Sequence, residues 1–163
     1  MSTMDSVQLH SPGGATGRGA PWVLVVDDEV VVRDLLERFL SLEGYKVMSA
    51  ADGIDAVKLF HAHPGVFRAV VLDVVMPRMD GRDTFFALRE LDPDIPVLIM
   101  SGFVPGDRGA DIVGRPGTSF IHKPFILGDV LLKLESLMRD EQRPQMLPRP
   151  PSTGTGRLEG ITD

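Results

Sequence analysis

Asp27, Asp28, Asp73, Ser101 and Lys123 each follow a short, largely apolar run. The runs are Trp22–Val26, Ala69–Leu72, Val97–Met100 and Ser119–His122. If they are parallel strands of one sheet, three carboxylates, a hydroxyl and an ammonium meet at one edge. Carboxylates crowded together repel, which raises pKa values or recruits a cation. Hard oxygen ligands with space for water suit Mg2+. Phosphoryl or metal chemistry is the expectation.

Each residue also has a plainer reading. An Asp after a strand commonly caps the next helix, so Asp28 can be an N-cap and nothing more. Lys123 can be a solvated loop lysine, but Pro124 holds the residue before it extended or turns the chain through a cis bond. Either fixes where Lys123 points. Ser101 alone says little. At the end of a strand and followed by Gly102, it can place a hydroxyl near the same edge.

Apolar runs alternate with amphipathic segments, the pattern of β-α-β units around a parallel sheet. Strands are expected at about 22–27, 46–50, 68–73, 96–101 and 118–122. A first helix at 29–43 shows an apolar face of Val32, Leu35, Leu36, Phe39 and Leu40. A second starts after Asp52, an expected N-cap, and buries Ile54, Val57 and Phe60. A third spans 82–91. The last, at 127–139, carries Leu127, Val130, Leu131, Leu134, Leu137 and Met138. Between the last two strands, residues 102–117 hold five glycines and two prolines. Each glycine costs about 1 kcal/mol against alanine in a helix. Any helix there is short, over Asp107 to Val113. The expected fold is α/β: a five-stranded parallel sheet of order 2-1-3-4-5 in a flavodoxin-like, doubly wound three-layer sandwich with a weak or shortened fourth helix. In that order ligands sit between the first and third strands, at the carboxylate-bearing ends.

The 163 residues suit one domain with tails. Residues 1–20 are expected to be a disordered leader, 21–140 the folded domain, and 141–163 a flexible Pro-rich tail. A net charge of −6 argues against a basic nucleic-acid footprint. The absence of cysteine excludes disulfides and thiolate metal sites. No apolar run approaches the roughly 18 residues of a membrane span, and no signal-peptide core is present. A soluble cytoplasmic protein, neither inserted in a membrane nor bound to nucleic acid, is expected.

Asp27-Asp28, Leu72-Asp73, Met76-Pro77 with Asp80-Gly81, Ser101-Gly102 and Lys123-Pro124-Phe125 together resemble the receiver domain of two-component response regulators, over about residues 21–140. The Ser-Gly-Phe and Lys-Pro-Phe forms are similar to receivers of hybrid histidine kinases and to stand-alone receivers derived from them. The resemblance implies that Asp73 is the phosphoacceptor, taking a phosphoryl group from a histidine kinase or histidine phosphotransfer protein. It implies Mg2+ held by Asp28, Asp73 and the Val75 backbone carbonyl, with Asp27 acting through a water. Lys123 would pair with the phosphoryl oxygens and Ser101 would hydrogen-bond one of them. Phe120 occupies the aromatic switch position. Such a protein catalyses its own phosphorylation and dephosphorylation without being a conventional small-molecule enzyme.

Two departures stand out. In the first, Val75 is apolar where many receivers carry a polar side chain or Met, and with it Phe103 is bulky; both are expected to shield the acyl phosphate. The second departure is the weak fourth helix, half of the face that the resemblance makes the output surface. Met1 and both tails are expected of a whole protein, and residues 141–163 are too few for an output domain. Output would pass through a downstream protein target or a phosphate relay. The alternative is a receiver-fold interaction module that binds partners without phosphate turnover. A phosphatase or mutase of aspartyl-phosphate type would carry a second Asp where Val75 stands.

Overall fold

The computed structural model describes residues 19–102 and 109–141. Most of the expected leader, nearly all of the expected tail, Phe103, and Asp107 and Arg108 at the start of the expected short helix lie outside the described residues.

The apolar runs form five parallel strands: β1 (Trp22–Val26), β2 (Lys46–Ala50), β3 (Phe67–Asp73), β4 (Val97–Ser101) and β5 (Thr118–His122). Their order is β2-β1-β3-β4-β5. Strands buried on both faces read as continuous apolar runs rather than alternating ones, as in β1, β3 and β4. The helices are α1 (Val30–Leu42), α2 (Gly53–Ala62), α3 (Gly81–Leu91) and α4 (Leu127–Glu141). On one face of the sheet, Leu24, Val26, Val70, Leu72, Val97 and Ile99 pack with α2 and α3 through Ala56, Phe60, Phe85 and Leu88. On the other, Val23, Val25, Val71, Leu98 and Ile121 pack with α1 and α4 through Leu36, Leu40, Val130 and Leu134. The flavodoxin-like three-layer expectation holds.

Two helix faces differ from their expected stripes. Leu35 is 47% exposed and Ile54 is 38% exposed. The buried contacts of α1 and α2 run through Leu36 and Leu40, and through Ala56 and Phe60. Val32 and Phe39 on α1 and Val57 on α2 pack half-buried beside those pairs, so of the expected stripes only Leu35 and Ile54 turn outward.

No helix lies between β4 and β5 among the described residues. A single turn runs from Gly109, whose carbonyl accepts from Ile112 and Val113 at 3.2 and 3.3 Å. Gly109, Gly114 and Gly117 all have positive φ, which ends helical propagation at both sides of that turn. Side chains from α3 hold the segment instead. Arg82 donates to Asp111 Oδ2 from both Nε and Nη2, each at 2.8 Å. Arg115 Nε donates to the Asp111 carbonyl at 2.6 Å. The Arg82 and Arg115 guanidinium groups both lie on the Phe86 ring, at 5.0 and 4.9 Å. Arg89 stacks on Phe85 and donates to the Pro93 and Pro116 carbonyls, each at 2.9 Å. Ile112 completes the arrangement, fully buried in the α2/α3-side core.

Arg89 thus ties the end of α3 to the turn before β5. Arg89→Met keeps an apolar stem and removes both carbonyl bonds. The expected loss is about 1–2 kcal/mol in denaturant unfolding, with faster amide exchange over residues 114–118. Unchanged exchange there would show that the segment does not depend on α3.

Candidate functional site

Strand register and alternation build the site. Val26 pairs with Leu72, Asp73 with Met100, and Ser101 with His122, so β1, β3, β4 and β5 end side by side. Val25, Val71 and Ile121 all face the α1/α4 side. Asp27, Asp73 and Lys123 come two residues after them, so all three inherit that face. Ser101 comes two residues after Ile99, on the other face.

Asp27 is fully buried. Its N–H donates to the Ala50 carbonyl at 3.2 Å. Its Oδ1 accepts from the Glu29 N–H at 2.9 Å, and its Oδ2 from Lys123 Nζ at 2.6 Å. The Lys123 backbone N–H donates to the Ser101 carbonyl at 2.8 Å, carrying the β4–β5 ladder one residue past the strand. The Lys123–Pro124 bond is cis. From this position Nζ also lies 3.4 Å from Asp73 Oδ2 and 3.5 Å from Glu29 Oε1. Asp73 is 4% exposed, and the Val75 N–H approaches its Oδ1 at 3.4 Å. Carboxylate oxygens of Asp27, Asp28 and Asp73 lie within 4.8 Å of one another. Three hard oxygen donors at that spacing, one of them exposed to solvent, fit a small divalent cation that keeps several waters.

Burial, and next the Asp27 charge, push the Asp73 carboxyl up to about 6; Lys123 and the Val75 N–H oppose the rise. Burial pulls Lys123 down, but its bond to Asp27 and the charges of Asp73 and Asp27 outweigh that and leave it above its ordinary value. Lys123 is therefore a fixed cation, and Asp73 is the group whose charge is contested.

The loop after β3 is held by close packing. The Val74 N–H donates to the Met100 carbonyl at 3.0 Å, and the Gly81 N–H to the Val74 carbonyl at 2.8 Å. A Cβ on Gly81 would lie 2.3 Å from the Asp73 carbonyl oxygen and 2.5 Å from Val74 Cα. Only glycine lets α3 start this close to Asp73. Asp80 caps α3 through the Asp83 N–H at 2.9 Å. Asp52 caps α2 through the Asp55 N–H at 2.9 Å, as expected. Buried Asp52 also pairs with Arg78, which takes a left-handed backbone at φ 67°.

Of the expected site residues, Asp27, Asp28, Asp73 and Lys123 come together. Ser101 is buried at the neighbouring strand end. Val75 follows in the loop, with its N–H toward Asp73. Phe120 pairs with Ile99 and packs, half-buried, against the α2/α3-side core, on the face that Ser101 continues. The capping reading of Asp28 fails. Glu29 is the N-cap residue of α1, and no side chain caps that end. Sequence reasoning passed over Glu29, Arg33 and Arg78. Glu29 sits beside the Asp pair and Arg78 inside the Met76–Gly81 turn, which was the available signal.

Without metal, ionised Asp73 opposes folding, because its folded value of about 6 lies above the ordinary 3.8. The opposition is absent below the ordinary value and complete above the folded one. Asp73→Asn removes it. In chelator, the variant's melting midpoint should exceed the wild type's by a few degrees more at about pH 7.5 than at about pH 4.5. A gap that stays constant with pH would contradict the contested charge.

Comparison with known proteins places the chain in a family. The response regulator receiver domain profile matches residues 23–135. The response regulator MprA of a Mycobacterium species is 40% identical over 125 residues, covering 72% of this chain and 50% of the relative. The transcriptional regulatory protein PrrA of Mycobacterium bovis is 35% identical, over 90% of this chain and 58% of its own length. The chain thus spans little more than half of such relatives. Among solved structures, the CheX–CheY–BeF3–Mg complex of Borrelia burgdorferi matches with TM-score 0.64 and 31% identity, over 72% of this chain and 88% of that one. A receiver protein of Sinorhizobium medicae shares the fold at TM-score 0.67 and 23% identity, over 76% and 98%. With its profile match, strand order and ranked strand ends, this chain belongs to the response regulator receiver domains of two-component systems.

Proposed function

We propose that this receiver accepts a phosphoryl group on Asp73 from a phosphohistidine of a histidine kinase or histidine phosphotransfer protein, in a Mg2+-dependent reaction. The observation that carries the reading is the Lys123 ammonium set against Asp27 and Asp73, beside three carboxylates within 4.8 Å. One Asp73 oxygen attacks phosphorus in line with the departing imidazole nitrogen. The O–P bond forms as the P–N bond breaks, and the imidazole leaves with the bonding pair and takes up a proton. Such a transfer spreads charge over the three equatorial oxygens, so catalysis is chiefly positioning and electrostatics. Asp28, Asp73 and the Val75 carbonyl would hold Mg2+, with Asp27 acting through a water. Bound there, the ion supplies positive charge opposite the phosphoryl oxygens. The MprA-like and CheY-like relatives support this reading, the latter through a complex named for both BeF3 and Mg.

Phosphorylation adds about −1.5 to −2 charges, which new hydrogen bonds must absorb. Lys123 pairs with the new oxygens and Ser101 donates its hydroxyl to one of them. Phe120, packed on the same face, turns into the space so released. Output passes through contact with a downstream protein target. The reading implies a cytoplasmic protein, and no helix among the described residues is long and apolar enough to cross a membrane.

Incubation with Mg2+ and acetyl phosphate, followed by intact-mass spectrometry, should show the gain of one phosphoryl group. Asp73→Asn and chelator should each abolish it, and beryllofluoride should give a spectral response only with Mg2+. An unmodified wild-type protein that still binds partners would instead identify a receiver-fold interaction module.

A further inference from the structure

Arg33 stands at the start of α1, one turn from the N-cap residue Glu29, whose carbonyl accepts its N–H at 3.1 Å. A cation near a helix N-terminus opposes the helix dipole, and the first turn of α1 holds no acidic residue to offset it. The side chain turns back over the β1–α1 connection. Its Nη1 donates to the Asp27 carbonyl at 2.7 Å and to the Asp28 carbonyl at 3.1 Å.

Those carbonyls belong to the two peptide units on either side of the Asp28 Cα. Each unit is planar. Holding both fixes the two backbone dihedrals of Asp28, and with them the direction of its Cα–Cβ bond. Asp27 is already held by Ala50, by the Glu29 N–H and by Lys123. Asp28 is exposed and depends more on this hold. The Asp28–Glu29 peptide fixed by Arg33 is also the one whose N–H reaches Asp27 Oδ1 at 2.9 Å.

We propose that Arg33 is a positioning residue for the metal and phosphoryl site, aiming the Asp28 and Asp27 carboxylates through their backbone carbonyls. The inference rests on the phosphoacceptor reading above. It opposes what charge alone would do. Arg33 is a cation on the backbone of two of the three carboxylate residues, so removing it should tighten Mg2+ binding by Coulomb attraction. Removing a hold on the ligands should weaken it.

Calorimetric titration of the whole chain with MgCl2 separates the two. Arg33→Ala should weaken Mg2+ binding about tenfold, the usual scale for losing a group that orients metal ligands. In chelator, its Glu29 amide should exchange faster, while its melting midpoint shifts no more than that of Arg38→Ala, a change further along the same helix. Arg33→Lys, whose ammonium reaches one carbonyl, should recover part of the affinity, and it carries the comparison if Arg33→Ala does not fold. Unchanged or tighter Mg2+ binding in both variants would overturn the proposal. A lowered midpoint with unchanged affinity would also overturn it, leaving Arg33 a purely structural role. A wild-type protein that binds no Mg2+ and takes no phosphoryl group would overturn the phosphoacceptor reading itself, and is recognised without any Arg33 variant.

Discussion

The edge of the sheet depends on one ammonium. Asp27 is fully buried, and a buried carboxylate without a partner costs several kcal/mol. Lys123 Nζ, 2.6 Å away, is the cation that makes it tolerable. The same ammonium reaches Asp73 and Glu29, so one charge just past β5 ties the ends of β1 and β3 into a common electrostatic unit. Burial, and next the Asp27 charge, keep the Asp73 carboxyl raised, and Lys123, bonded at 2.6 Å to Asp27, only partly offsets them. A carboxyl in that condition is poised for a cation, whose positive charge would relieve it.

The backbone around this cluster is built for close approach. Gly81 lets α3 begin against the Asp73 carbonyl, and Gly53 lets α2 begin against Met79 and Thr84. Arg78, in a left-handed conformation, links the loop between them to the α2 cap residue Asp52. These contacts make the β3–α3 loop a rigid wall of the site. Beyond it, Gly109 packs against the Val74 side chain, where an added Cβ would come within 3.2 Å. Val74 follows Asp73 directly, so Gly109 rests one residue from the Asp73 carboxyl. The Arg82–Asp111 pair and the two stacked arginines on Phe86 and Phe85 hold that segment, with one hydrogen-bonded turn at Gly109–Val113.

Much of this was legible in the sequence. Buried parallel strands write themselves as unbroken apolar runs, and the residue that ends each run sits at the ligand-binding edge. Asp27, Asp73 and Lys123 were therefore placed at that edge, and Gly109, Gly114 and Gly117 marked the absence of a helix among the described residues between β4 and β5. The rest was hidden for identifiable reasons. Leu35 and Ile54 fit a helical stripe, but the width of a buried stripe depends on how the helix sits on the sheet. Asp28 after β1 reads as a cap, and only the turn geometry shows that Glu29 takes that place. Arg33 and Arg78 act through long side chains folded back onto backbone or a neighbouring cap, and sequence spacing does not encode that reach.

Carbon-13 NMR titration of the Asp73 carboxyl tests the shared-ammonium account most directly, in metal-free wild type and in Lys123→Met. The account predicts a wild-type midpoint of about 6 and a higher one without Lys123. An ordinary carboxylate midpoint in the wild type, or one that Lys123→Met leaves unmoved, would contradict it.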